Sequence, residues 1–335
     1  MLLSIIIVNY NSGKLLLDCL NSAEQDLFDL DKVEWIVVDN SSNQADKKLI
    51  ADSFPLLQWV DMGYNAGFAR ANNKGIELSK GQLVLLLNPD TLLKPGVVLA
   101  TAHELTQSNL VAAGVQLIHL DGQPQFSGSN FMQGGLNHLL PLPYWGKWIK
   151  KIASFWIQEK PALIEAPAYA EVDWISGAFL MIKKVFIQKA GMLDPEFFLY
   201  AEEVEWCSRL GKWGKMAIFG KYTIVHLIGQ SIQEAAASED NSYTNLTDKK
   251  GLQLMVSNHL RIRKQYGIFW FLFQLLNYTW TIPVYLVSGI MDALWNRKST
   301  LQMLQGWGGF TNNVIELWLI APIIIARKKH FYKYL

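Results

Sequence analysis

Leu83-Val84-Leu85-Leu86-Leu87 is a run of five branched apolar residues that stops abruptly at Asn88-Pro89-Asp90. A short apolar run bounded by turn residues predicts a strand buried on both faces, as in a parallel sheet. Parallel strands need helical crossovers, and in open α/β sheets ligands bind just beyond the carboxyl ends of the strands. An α/β chain follows, with Asp90 at the lip of a cleft on a proline-stiffened turn. A carboxylate so placed is a candidate to hold a divalent metal against a phosphorylated substrate.

The residues before this run supply the alternation such a sheet requires. Leu3–Val8 predict a first strand that ends in Asn9-Tyr10-Asn11-Ser12, and Ser12 can cap a helix whose apolar face is Leu15, Leu16, Cys19 and Leu20. A second strand over Glu34–Val38 ends in Asp39-Asn40-Ser41-Ser42. A helical segment over 46–54 and a short strand over 56–60 follow, and Asn65-Ala66-Gly67-Phe68 opens a helix that stops near Gly81. Two strands thus deliver Asp39 and Asp90 to one sheet edge. Either alone is as readily a turn residue or helix cap; two in succession favour a site. The first turn carries one glycine, Gly13, so the dinucleotide-binding G-x-G-x-x-G pattern fails, and neither a Walker A loop nor a Gly-x-Ser-x-Gly elbow occurs.

Charge and cysteine usage exclude further classes. Lys+Arg number 30 against Asp+Glu 29, which offers no electrostatic case for a nucleic-acid partner. Cys19 and Cys207 are too few for a disulfide framework or a zinc cluster. The first eight residues carry no basic n-region, and Asn9 cuts their apolar run short, so a signal peptide is not expected.

Val111–Leu120 predict a further strand, followed from about 123 to 171 by an irregular stretch. Inside it Tyr144–Ile152 mix aromatics with three lysines, which suits either an anionic membrane surface or an anchored surface loop. Order returns with Trp174-Ile175-Ser176-Gly177-Ala178, a turn whose glycine lets backbone approach a ligand closely before the next strand. Glu202, Glu203 and Glu205 then fall beside Phe198, Tyr200 and Trp206, a setting for a general base. Thr223–Ser231 end another strand with His226; a lone histidine is more often structural than a ligand.

Seven segments now stand in one order: Val8–Ser12, Val37–Ser42, Asn65–Ala69, Leu86–Asp90, Trp174–Ala178, Tyr200–Glu203 and His226–Ser231. Together they resemble a family 2 glycosyltransferase with the GT-A nucleotide-diphospho-sugar transferase fold, in its rhamnosyltransferase-like branch, over roughly residues 1–265. The resemblance implies that Asp39 contacts the base or ribose of a nucleotide-diphospho-sugar donor and that Asn9 and Tyr10 wall its pocket. Asn65, Gly67, Asn88, Trp174 and Gly177 fall in the matched segments and are carried over as donor-binding positions. Asn88-Pro89-Asp90 stands where the family has a D-x-D motif, leaving Asp90 as the metal-binding acid, with His226 completing the metal site or contacting the diphosphate. Mg2+ or Mn2+ suits such oxygen-rich ligation. Glu202-Glu203 replaces the usual Glu-Asp, so Glu203 is the implied base and Glu202 the alternative. The implied reaction is transfer with inversion, L-rhamnose from dTDP-rhamnose being the first donor and UDP-galactofuranose or a UDP-hexosamine the alternatives. A catalytically idle scaffold of the same fold would be favoured by loss of both acids, and both are present.

From Tyr266 to Met291 the chain carries no charge, and basic residues flank this stretch on both sides. A second apolar run, Val314–Ala326, ends in Arg327-Lys328-Lys329. Polar residues and Pro283 interrupt the first run, and its tryptophans and tyrosines are interfacial in style. The expectation is a catalytic domain over 1–262 and an apolar helical region over 263–335. That region would lie on the cytoplasmic face of the inner membrane, with a helix that crosses the bilayer and plain core helices as the alternatives. Such an enzyme would take a lipid-linked saccharide acceptor in bacterial cell-surface polysaccharide biosynthesis.

Overall fold

The computed structural model describes residues 3–23, 27, 32–42, 44–153, 163–227, 245–297 and 299–335; Ile228–Ser231 of the last matched segment lie outside them. The first strands and helices alternate as expected: β1 (Leu3–Asn9), α1 (Gly13–Ser22), β2 (Val33–Asp39), α2 (Gln44–Ser53), β3 (Gln58–Asp61), α3 (Gly67–Leu78) and β4 (Leu83–Leu87). The chain continues through β5 (Thr91–Leu92), α4 (Val97–Gln107), β6 (Ala112–Ile118), β7 (Gly128–Ser129), α5 (Trp145–Ala153), β8 (Ala170–Val172), β9 (Trp174–Ile175) and β10 (Phe179–Lys183). α6 (Lys184–Ala190), α7 (Glu202–Leu210), β11 (Met216–His226), α8 (Lys249–Gln265), α9 (Ile268–Trp295) and α10 (Thr300–Ile325) complete it.

Two compact units result. The first comprises Met1–Asn130, Ala162–Pro195 and Glu202–Asn241 and holds a nine-stranded sheet of order β3-β2-β1-β4-β10-β6-β11-β5, with β8 paired to β11. β1 pairs in parallel with both β2 and β4, and all five residues of β4 are buried. The sheet is mixed, because β10 enters antiparallel between β4 and β6 while β6 and β11 run parallel. Ile5, Ile7, Val37, Leu85, Leu87, Val115, Phe179 and Phe219 belong to its hydrophobic core. α3 lies close on β1: a Cβ on Gly75 would run into Cγ2 of Ile6.

The strand order makes a topological switch. The chain builds from β1 outward through β2 and β3, then returns to place β4 on the other flank of β1. At such a point the two adjoining crossover loops part and leave a crevice beyond the strand ends. Asn9 pairs in register with Asp39 and Ile7 with Leu87, so the turns after β1, β2 and β4 rise at one edge. β4, β6 and β11 run one way and β10 the other, which brings the start of β10 and the end of β11 to that same edge.

The second unit comprises Phe131–Pro161, Glu196–Ala201 and Ser242–Leu335. α8, α9 and α10 pack through Met255 and Val256, Phe271, Leu275 and Tyr278, and Phe310, Val314 and Leu317, all buried. Lys264 forms an ion pair with Glu196, Phe197 bridges to Tyr332, and Gln253 Nε2 donates to the Tyr332 carbonyl at 3.1 Å. Residues 131–161, 196–201 and 242–262, expected with the catalytic portion, therefore group with the C-terminal helices. The apolar face of α8 packs on α9 and α10, which makes the three helices one core. Among the described residues one helix, Thr300–Ile325, is long and apolar enough to cross a membrane; α9 is not.

Candidate functional site

Short polar loops follow β1 and β2, and their side chains are bound to one another. Asn9 is fully buried; its Nδ2 donates to Asp39 Oδ1 at 2.9 Å and to Ser42 Oγ at 2.9 Å. The other Asp39 oxygen accepts from the Ser42 backbone N–H at 3.0 Å. Ser42 Oγ in turn accepts from the Asn11 backbone N–H, and Ser12 Oγ donates to Asn9 Oδ1. Asn11 and Ser41 hold positive φ of 50° and 66°, left-handed backbone that costs a non-glycine residue energy and concentrates at functional loops. Tyr10, in the first of these loops, is half-buried.

The opening of α3 is tied to the same edge. Asn40 Oδ1 accepts from Ala66 N at 3.2 Å, and its Nδ2 donates to the Gly67 carbonyl at 3.1 Å. Gly67 adopts φ +75°, and Asn65 Oδ1 accepts from its N–H at 3.1 Å. Only glycine takes this bend at low cost, which explains its place two residues after Asn65.

Beyond β4 the Asn88 N–H donates to the Ala178 carbonyl at 3.1 Å, binding the Asn-Pro-Asp turn to the loop before β10. β5 pairs Thr91 with His226, and Leu227 N donates to the Asp90 carbonyl at 2.8 Å. Asp90 and His226, which lie 136 positions apart in the sequence, thereby meet: both are buried, with His226 Nε2 3.4 Å from Asp90 Oδ1. Gln125 Nε2 donates to the His226 carbonyl at 2.6 Å and lies 3.0 Å from His119 Nδ1, so Oε1 is left to accept from His226 Nδ1 at 3.1 Å. In a neutral imidazole bonded this way the Nε2 lone pair faces the carboxylate oxygen. Two electron-rich atoms held 3.4 Å apart are suited to share a cation; the carboxylate suits Mn2+ or Mg2+, and the imidazole nitrogen favours Mn2+ of the two. Among the described residues no group of three or more His, Cys, Asp and Glu is placed to hold a metal.

Gly177 is buried, and a Cβ on it would stand 3.2 Å from Phe68 Cζ and 3.9 Å from Glu203 Cβ. The Ser176-Gly177-Ala178 turn therefore runs beside α3 and the first turn of α7. Glu202 is 3% exposed, whereas Glu203 is half-buried. Tyr200 and Ala201 enter α7 with φ +72° and +65°, two consecutive non-glycine residues in the left-handed region. Glu205 is engaged elsewhere, since Arg209 grips both its oxygens at 2.8–3.0 Å and also donates to the Ala190 and Met192 carbonyls. Trp174 stacks at a tilt on Phe126 with ring centroids 5.5 Å apart.

Three residues that shape the site carry no expected role from the sequence. Asp46, in the first turn of α2, accepts from Gly13 N at 3.0 Å and is 3.4 Å from Asn9 Nδ2. An acid in a first helical turn is a readable signal. Asn40 falls inside a matched segment, but nothing in its neighbours announces that it ties two loops together. Gln125 carries no local signal, since its partners are remote in sequence.

The sequence profile described as "Glycosyl transferase family 2" matches residues 4–163. The low-salt glycan biosynthesis hexosyltransferase Agl10 of Haloferax volcanii is 30% identical over 221 residues, which cover 62% of this chain and 61% of that protein. The N-acetylglucosaminyl-diphospho-decaprenol L-rhamnosyltransferase of Mycobacterium tuberculosis is 25% identical, over 56% of this chain and 64% of its own length. The dTDP-rhamnosyl transferase RfbF of Shigella flexneri is 26% identical, over 58% and 60%. The matched part thus spans about three fifths of each relative. Among solved structures, a mannosyltransferase from Pyrobaculum calidifontis in complex with GDP-Man and Mn2+ superposes with a TM-score of 0.52 at 14% identity, covering 97% of this chain and 87% of that one, a likeness of fold. The family match over residues 4–163, the named relatives and a GT-A-like fold agree, and over that portion the chain is similar to glycosyl transferase family 2, with two rhamnosyltransferases among its named relatives.

Proposed function

We propose that the chain is an inverting, divalent-metal-dependent glycosyltransferase that moves a sugar from a nucleotide-diphospho-sugar onto a lipid-linked saccharide. The observation that carries this reading is the pair Asp90 and His226, buried and facing across 3.4 Å at the switch point where Asp39 also emerges. Asp39, held by Asn9 and Ser42, is placed to receive the hydroxyls or ring N–H of a nucleoside. Asn65, Gly67 and Asn88 lie in the neighbouring strand-end turns, and Tyr10 offers a ring in the loop after β1. Bound by Asp90 and His226, a Mg2+ or Mn2+ ion would draw charge from a departing diphosphate. Glu203, more exposed than Glu202 and beside Gly177, is the group that takes the proton from the acceptor hydroxyl.

L-Rhamnose from dTDP-rhamnose is the donor this reading favours, because two relatives are named rhamnosyltransferases. The decaprenol in one of those names supports a lipid-linked acceptor, and with it a place in cell-surface glycan assembly. A membrane surface fits the second unit considered alone. α5 presents Trp148 and Ile152 to solvent beside Lys147, Lys150 and Lys151, and α9 leaves Phe269, Leu276, Met291, Leu294 and Trp295 exposed. Trp145 Nε1 of α5 donates to Asn277 of α9 at 3.0 Å, so a short lysine-bearing helix is fastened along α9. A helix of that kind sits at headgroup depth, which favours α9 lying in the plane of the inner membrane's cytoplasmic face.

The test is a panel of dTDP-rhamnose, UDP-galactofuranose and UDP-hexosamines, each with Mn2+ and a lipid-linked acceptor fraction, scored for transfer and for protection against heat. Rhamnose transfer is the expected result. Transfer from a UDP-sugar alone would move the donor assignment, and no turnover or protection with any donor would overturn the enzyme reading.

A further inference from the structure

We infer that Gln125 is the positioning residue of the metal site: it fixes His226 as the tautomer protonated on Nδ1, so that the Nε2 lone pair points at Asp90. The inference rests on the proposed role of Asp90 and His226. Gln125 is 4% exposed and its own N–H donates to the Leu117 carbonyl at 2.8 Å, which pins its backbone beside the end of β6. Its side chain is oriented from two sides. Nε2 lies 2.6 Å from the His226 carbonyl oxygen and 3.0 Å from His119 Nδ1. Turning the amide over would set its oxygen against that carbonyl oxygen, a repulsive contact at this distance. The amide oxygen is thereby committed to His226 Nδ1 at 3.1 Å, and an oxygen that only accepts requires hydrogen on that nitrogen.

The carbonyl contact serves a second purpose. It grips the same residue at its backbone while the oxygen grips the ring, so one side chain sets both the position of His226 and its orientation. Metal-binding histidines elsewhere use an acceptor on the far ring nitrogen in the same sense, to fix tautomer and direction and raise basicity. His119 then becomes the outer member of the chain, steadying the amide without touching the site. Loss of the group bonded to a metal-binding histidine, here Gln125, typically weakens metal binding about 10–100-fold.

Gln125→Leu keeps the size and removes all three contacts; Gln125→Glu keeps an acceptor for Nδ1–H and, as the carboxylic acid, a donor for the His226 carbonyl. Nitrogen-15 NMR of the histidine rings in metal-free protein reads the tautomer directly, and Mn2+ titration with dTDP or UDP, followed by electron paramagnetic resonance, reads affinity. The expected result is Nδ1–H at His226 in the wild type and in Gln125→Glu, a shift toward Nε2–H in Gln125→Leu, and about a 10–100-fold weaker Mn2+ Kd in Gln125→Leu alone. Because the tautomer is read in whichever protein is folded, a misfolded leucine variant would leave the wild-type and glutamate spectra to decide. Nε2–H in the wild type, or a leucine variant with unchanged tautomer and Kd, would overturn the inference. A wild type with the Nδ1–H tautomer that binds no Mn2+ would overturn the metal reading instead and leave the tautomer lock standing.

Discussion

Asp90→Asn separates the metal reading from a purely structural one, because the two predict opposite signs. In the metal-free protein Asp90 Oδ1 faces His226 Nε2 at 3.4 Å, and in a neutral imidazole the Gln125 contacts leave that nitrogen an acceptor. An amide at position 90 can turn its NH2 toward Nε2 and convert a pair of facing acceptors into a hydrogen bond, a net gain of about 0.5–1.5 kcal/mol for a buried neutral pair. The backbone bond from Leu227 N to the Asp90 carbonyl is untouched by the change. At a few degrees per kcal/mol, the melting temperature of the metal-free variant should rise by about 1–5 °C. Catalysis should move the other way. The variant loses the anionic half of a two-residue metal site, and several kcal/mol of charge stabilisation on the leaving group correspond to a fall of about 10²–10³ in kcat/KM. Differential scanning fluorimetry with and without Mn2+, together with transfer assays, gives both readings, and the heat protection that Mn2+ gives the wild type should vanish. A variant that transfers sugar at the wild-type rate would refute the metal assignment. One that melts well below the wild type without metal would refute the facing-acceptor geometry.

Glu203→Gln should abolish transfer while donor binding, measured by calorimetry, stays within a few-fold; Glu202→Gln should leave more activity, and the reverse order would exchange the two roles. Arg209→Met should leave the site chemistry in place but destabilise the first unit by roughly 2–4 kcal/mol, since it strands a buried Glu205 carboxylate and two carbonyls; denaturant titration checks it, and a change below about 1 kcal/mol would count against that network. Burial lowers His259 in the second unit from 6.5 to about 4, so the folded protein binds fewer protons than the unfolded chain between those values. Its stabilising contribution is therefore whole above pH 6.5 and is lost as pH falls toward 4, by roughly 3 kcal/mol; a stability profile flat across that window would contradict it. For membrane docking, Trp148→Glu with Ile152→Glu should release the full-length protein from phosphatidylglycerol vesicles without lowering its melting temperature, both positions being exposed, and undiminished vesicle binding would sink the in-plane reading. Cutting the chain near residue 262 would be a poor substitute, since it removes the partners of α8, Glu196 and Phe197 and opens the core of the second unit.

Much of this protein is decided by local pattern. The five-residue run of β4, the alternation of strands and helices up to it, and the turns that end in Asp39 and Asp90 all follow from hydrophobic period and turn chemistry, which act over a few residues. Gly67 and Gly177 are readable as points of bend or close approach for the same reason. What tertiary structure alone decided is which distant segments meet. The insertion of β10 antiparallel between β4 and β6, the pairing of Thr91 with His226, and the meeting of Gln125 with that histidine depend on partners that lie about 70 to 140 positions apart. The same holds for Glu205, which by sequence looks equivalent to its two neighbouring acids. One turn of helix later stands Arg209, and burial turned their i,i+4 spacing into a closed ion pair while leaving Glu203 half-exposed beside Gly177. It also joined 131–161 and 196–201 to the C-terminal helices, because their partners, among them Asn277, Tyr332 and Lys264, come from the far end of the chain. Pairing over such separations trades loop entropy against burial across the whole unit, and no window of the sequence contains both sides of that balance.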